Sequence, residues 1–168
     1  MQEGRAREGS VSMISIEIPG RETLKLEHLV LDVNGTIVVG GRVVPGIPET
    51  LAALSSRIHV VAVTADARGM APHLRELLGI EVHVIPASDE ARAKREFIQG
   101  LDSDRCIAIG NGGNDVLMLQ AAAVGVAVIG GEGAATACVL ASDIVVNSIS
   151  DALALVTDPL RLSATLRA

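Results

Sequence analysis

Residues 29–37, Leu-Val-Leu-Asp-Val-Asn-Gly-Thr-Ile, constrain the fold of this chain more than any other segment, because an apolar run ends on a carboxylate and turns at once. An unbroken apolar run reads as a strand buried on both faces, the kind found in parallel sheets covered by helices. Ligands of such sheets bind outside the carboxyl ends of the strands. Asp32 therefore stands where chemistry is done. Taken alone, an Asp ahead of Asn34-Gly35 also reads as the cap of an ordinary hairpin turn, and other segments have to decide.

Further apolar runs over residues 58–63, 81–85, 105–109, 124–129 and 143–146 alternate with helical patterns over 48–56, 69–78, 89–101, 114–123, 134–140 and 150–156. Repeated βα units at this spacing predict a three-layer α/β/α, Rossmann-like fold with a mostly parallel central sheet. Upstream, residues 14–18 alternate as an edge strand does. Between 37 and 45 two short apolar pieces flank Gly40-Gly41, which predicts a hairpin placed as a flap beside Asp32. Residues 1–12 are polar and read as a disordered tail, leaving 13–168 as one domain large enough to bury a core without disulfides.

Composition narrows the partners. Phe97 is the one aromatic, Trp and Tyr being absent, and the formal charge is −6. Without stacking platforms or a Lys/Arg cluster, a nucleic-acid surface is excluded. The longest apolar stretch, 121–129, is too short to span a bilayer, and the first residues lack a signal-peptide core, so a soluble cytoplasmic protein with no membrane partner is expected. Cys106 and Cys138 have no metal-ligand spacing and read as buried thiols. His28, His59, His73 and His83 are scattered and read as surface or strand residues.

Three more segments carry polar groups at strand ends. Thr64 closes the run Val61-Ala62-Val63 and can offer a hydroxyl and a backbone N–H to a phosphate oxygen, or simply end a strand. Lys94 lies early in a helical pattern, where it is either solvated or turned inward to neutralise an anion. The segment Gly110-Asn111-Gly112-Gly113-Asn114-Asp115 joins a strand to a helix, and its oxygens exceed what one helix cap requires. Such a loop suits a hard cation, since magnesium takes oxygen ligands and keeps several waters. Asp66 and Glu132 sit at loop positions that can line the rim.

In chain order and placement, Asp32, Thr64, Lys94 and Asp115 resemble the motifs of the haloacid dehalogenase superfamily of aspartate-nucleophile phosphohydrolases, over about residues 29–128. The first motif, Asp-x-Asn-Gly-Thr, and the second, Thr-x-Asp, are most similar to the small, soluble P-type-ATPase-like members. The resemblance implies that Asp32 attacks phosphorus, and that Thr64, Ala65, Lys94 and Asn114 bind phosphoryl oxygens. It further implies that Mg²⁺ is held by Asp32, the carbonyl of Asn34, Asn111 and Asp115. A carboxylate attacking a phosphate faces like-charge repulsion, which a cation and Lys94 would offset. The expected substrate is a phosphorylated small molecule or protein, and a homo-oligomer stays open.

Two residues depart from the pattern. Asn34 stands where phosphatases of this superfamily carry the Asp that protonates the leaving group and activates water, so slow hydrolysis and a long-lived phospho-Asp32 are expected. Asn111 replaces a metal-binding Asp, which lowers the expected metal affinity. Both precede glycine, a context that favours deamidation, so ageing is a route to the missing carboxylates. Both cap insertion points are short, which predicts an open site without a cap domain. The alternative is a catalytically impaired phosphate-binding or regulatory module. A two-component receiver domain fits less well for want of an acidic pair after the first strand, and a dinucleotide-binding fold because the glycine-rich loop follows a late strand.

Overall fold

The structure, a computed structural model, describes residues 12–66 and 68–168. The chain runs β1 (Ile14–Ile16), β2 (Leu24–Leu26), β3 (His28–Asp32), β4 (Val38–Val39), β5 (Arg42–Val43), α1 (Ile47–Leu54), β6 (His59–Thr64), α2 (Ala71–Leu78), β7 (Glu81–Val84) and α3 (Glu90–Gly100). It continues through β8 (Cys106–Gly110), α4 (Val116–Ala121), β9 (Val124–Val128), α5 (Thr136–Ala141), β10 (Ile144–Val146), α6 (Ile149–Thr157) and α7 (Pro159–Leu166). Six strands form the central sheet in the order β10-β9-β8-β3-β6-β7, with every neighbouring pair parallel.

Alternation along the strands gives each face its own core. Leu29, Leu31, Val60, Ala62, Ile107 and Ile109 point to one side, where α1, α2, α6 and α7 cover them. Val30, Val61, Val63, Cys106, Ala108 and Ala127 point to the other, under α3, α4 and α5. The expected α/β/α layering is therefore observed. Between β3 and α1 lies only the β4–β5 hairpin, and between β7 and α3 only a 3₁₀ turn, Ala87–Asp89, so neither insertion point holds a cap. Among the described residues no helix is long and apolar enough to cross a membrane.

Two elements add to the expected layout. The alternating segment at 14–18 forms a strand at Ile14–Ile16, which pairs antiparallel with β2 in a ribbon separate from the central sheet, Ile14 opposite Leu26. Helix α7 is additional: Pro159 stands in its first turn, where proline is tolerated, and Leu162 and Leu166 turn inward. Most of the expected disordered tail, residues 1–11, lies outside the described residues.

Small residues set the spacing on the α4 side. A Cβ at Gly125 of β9 would lie 2.6 Å from the backbone oxygen of Leu119 in α4, so the glycine is what lets helix and strand close. Gly125→Ala is expected to cost about 1–3 kcal/mol as a lower urea midpoint, and an unchanged midpoint would show that α4 moves away freely.

Cys106 and Cys138 are buried and free, as expected. Burial, reinforced by Asp102 and Glu27, pushes the Cys106 thiol up to about 12; burial, with Asp115 and Asp32, does the same for Cys138. Since the thiolate is the nucleophile, iodoacetamide at pH 8 is expected to spare both in the folded protein and to label both in urea. Rapid native labelling would contradict their burial.

Candidate active site

The carboxyl ends of β3, β6 and β8, adjacent in the sheet, carry Asp32, Thr64 and Gly110 and open onto Asn111. Helix α3, which covers the Val30 face of the sheet, supplies a cation. Asp89 caps α3 by accepting a hydrogen bond from Arg92 N, and this start puts Lys94 and Ile98, one turn apart, on the buried side of the helix. Lys94 is 1% exposed. Its Nζ donates to Asp32 Oδ1 at 2.6 Å and to Asp115 Oδ1 at 2.7 Å. Asp115 Oδ2 accepts from the backbone N–H groups of Asn111 and Gly112 at 3.0 and 2.9 Å. One ammonium thus bridges two buried carboxylates, and one of these pins the glycine-rich loop.

Thr36, which sequence reasoning left without a role, is buried here. Its hydroxyl lies 3.2 Å from Asp32 Oδ2 and 3.4 Å from Asn111 Oδ1. A hydroxyl three residues after a backbone turn at Asp32-Val33 was the available signal. Gly35 allows the approach of Asn111: its φ is +81°, and a Cβ there would lie 2.5 Å from Asn111 Nδ2. Nδ2 in turn donates to Gly133 O at 3.0 Å.

The remaining candidates divide. Thr64 is buried at the end of β6, and its Oγ1 accepts from Asp66 N at 3.3 Å. Ala65 is half-buried beside it. Asp66 caps the next helix, accepting from Met70 N and, at 3.0 Å, from Ala71 N. Asn114 is exposed, its amide donating to Glu90 Oε2 at 2.7 Å, with no hydrogen bond to Asp32, Thr64 or Lys94. Glu132 accepts from Gly40 N at 3.0 Å and so ties the tip of the expected hairpin to the loop after β9. Asn34 is exposed at the mouth and lines two cavities, one of about 370 Å³ shared with Thr64 and Glu132, the other of about 730 Å³ running beneath the hairpin.

Burial and the neighbouring Asp115 charge push the Asp32 carboxyl up to about 7, with Lys94 and Thr36 pulling the other way. Burial opposes the charge on Lys94, but Asp32 and Asp115 outweigh it and hold its pKa above the usual lysine value. For a hard cation the arrangement offers oxygens only: Asp32 Oδ2 and Asn111 Oδ1 share Thr36, whereas both Asp115 oxygens already accept hydrogen bonds inside a sealed pocket. Among the described residues no group of three or more His, Cys, Asp or Glu converges as a metal site. An all-oxygen set whose carboxylates already accept hydrogen bonds, Asp32 from Lys94 and Thr36, fits a cation that keeps most of its waters. Deamidation finds little support in the folded state, because the nitrogens that would attack are engaged, Gly35 N with Val38 O at 2.7 Å and Gly112 N with Asp115.

A parallel α/β/α domain with a buried carboxylate–lysine–carboxylate cluster at the strand ends defines the class, and the sequence gives the family. A family model described as haloacid dehalogenase-like hydrolase matches residues 5–123, and a second of the same description matches 95–155; the chain belongs to this family. An uncharacterized protein of Methanocaldococcus jannaschii is 46% identical over 82 residues, 46% of this chain and 88% of that protein. Among solved structures, the cobalt-bound deoxy-D-mannose-octulosonate 8-phosphate phosphatase of Haemophilus influenzae superposes with a TM-score of 0.66 at 14% identity, covering 85% of this chain and 94% of its own. The 3-deoxy-D-manno-octulosonate 8-phosphate phosphatase of Moraxella catarrhalis, in complex with magnesium, phosphate and KDO, gives 0.63 at 18% identity, over 84% of this chain and 94% of its own.

Proposed function

We propose that this chain is a slow, Mg²⁺-dependent phosphohydrolase or phosphotransferase that passes its substrate's phosphoryl group through Asp32, with residues 13–168 working as one unit. The bridge of Lys94 between Asp32 and Asp115 carries this reading, since it aims a buried carboxylate and a fixed positive charge at one point beside the strand ends. The magnesium and cobalt named for the two phosphatases of similar fold support a divalent cation.

Asp32 Oδ2, Asn111 Oδ1 and the Asn34 carbonyl would hold the cation, which when bound supplies charge to the phosphoryl oxygens. Lys94 steadies those same oxygens, and Thr64 with the Ala65 backbone offers uncharged donors. Asp32 forms the new P–O bond as the leaving group departs, splitting one hard displacement into two easier ones. Asn34 neither gives nor takes a proton, so the second step, attack by water, is slow.

Intact mass after incubation with Mg²⁺ and acetyl phosphate tests the proposal. One phosphoryl group is expected on wild type and none on Asp32→Asn. Unmodified wild type together with no released phosphate would instead support the regulatory module that Asn34 and Asn111 suggest.

A further inference from the structure

The two cavities at the site share Val33, Asn34, Gly41, Arg68, Met70 and Leu74, so the space above Thr64 continues into the larger groove of about 730 Å³. Its walls are apolar. Val38, Val43 and Val44 come from the hairpin and the turn after it, and Met70, Leu74 and Leu77 from α2 and its N-terminal cap. Met70 and Leu77 are 46% and 45% exposed, large apolar side chains left open along one wall. A pocket of this size and lining is built for an apolar ligand oriented by a few polar groups.

Two of those polar groups are arginines. Apart from Asn34, the hydrogen-bonding side chains lining the groove are Arg42, Arg68, His73 and Glu49. Neither arginine forms an ion pair among the described residues, although the chain as a whole is acidic. Guanidinium groups recognise carboxylate or phosphate with paired hydrogen bonds. A polyhydroxylated leaving group would face apolar walls with few partners for its hydroxyls, which disfavours it. No Phe, Tyr or Trp lines the groove to stack on a base.

Asn34 adds a chemical limit. Asn34 cannot protonate a leaving group, which favours one that departs as a stable anion, and a carboxylate does so where an alkoxide does not. We propose that the substrate is an apolar acyl phosphate bearing a second anionic group, its chain lying between the hairpin and α2 and its far charge meeting Arg42 and Arg68. This deepens the phosphoryl-transfer reading and rests on it. In the step, the Asp32 oxygen bonds to phosphorus and the bond from phosphorus to the acyl oxygen breaks. Its electron pair leaves on the carboxylate, and no proton is required.

Acetyl phosphate, decanoyl phosphate and the monoacyl phosphate of decanedioic acid share one leaving-group chemistry and differ only in what fills the groove. Values of kcat/KM are expected to rise about 100-fold from acetyl to decanoyl, and about tenfold more for the diacid. Arg42→Ala with Arg68→Ala is expected to erase the preference for the diacid over decanoyl phosphate, and Leu77→Asp to shrink that of decanoyl over acetyl. Reading ratios within each variant removes differences in folding and concentration. Phosphorylation of Asp32 by acetyl phosphate with ratios near one across the series would overturn the groove assignment alone. No phosphoenzyme and no hydrolysis with any of the three would bring down the phosphoryl-transfer reading itself.

Discussion

Asn34→Asp is expected to raise steady-state hydrolysis of acetyl phosphate by about 10²–10⁴-fold, the range over which a positioned general acid–base acts. Asn34 is exposed where the two cavities meet, two residues after Asp32, so a carboxylate placed there reaches water without rebuilding the buried cluster. The gain falls on the second half of the reaction. Forming phospho-Asp32 from an acyl phosphate releases a carboxylate and needs no proton, whereas breaking it requires a water stripped of one. Wild type is therefore expected to accumulate the phosphorylated form and Asn34→Asp to lose it between turnovers. Intact mass sampled during turnover, beside phosphate release, separates the two. If the variant is phosphorylated like wild type yet hydrolyses no faster, water is not activated from this position.

The sheet was legible because its strands are buried on both faces, and runs such as Val60 to Val63 or Ile107 to Ile109 read as continuous apolar segments. The hairpin at Gly40-Gly41 was legible from turn chemistry alone. What failed depended on contacts between distant segments. Strand β2 has three residues and no pattern of its own, and it exists because Ile14–Ile16 lies beside it. Pro159 looks like the end of a helix as readily as its start.

Side-chain meetings were the hardest to read. His28 and His59 seemed unrelated in sequence, yet they open neighbouring strands as register partners, with Nδ1 atoms 3.0 Å apart. Only the sheet order shows this. Lys94 is the same problem at the active site: most helical lysines are solvated, and its partners lie 62 and 21 residues away. Resemblance singled out Lys94, but its double engagement, and the part of Asp115 in anchoring the loop, follow from geometry.

Lys94→Met is expected to lower the unfolding free energy by about 3–5 kcal/mol, because it removes the shared partner of two buried carboxylates and leaves their charges uncompensated. Met keeps much of the stem volume, so the loss reads charge more than packing. For a chain of this size the melting temperature should fall by on the order of 10 °C. The sign of the pH dependence checks the cause. Asp32 titrates at about 7 in the folded protein against 3.8 unfolded, so its protonated form contributes stability fully below 3.8, lost as pH rises through 7. Without Lys94 the charged form is still less favourable, and the deficit of the variant should shrink on acidification from pH 8 to pH 5 as the carboxylates take up a proton. Urea midpoints of wild type, Lys94→Met and Asp32→Asn in EDTA across that interval measure it. Asp32→Asn, which cannot titrate, should gain on wild type as pH rises. A Lys94→Met deficit below about 1 kcal/mol, or one that grows toward pH 5, would mean that the lysine does not hold the two carboxylates in balance.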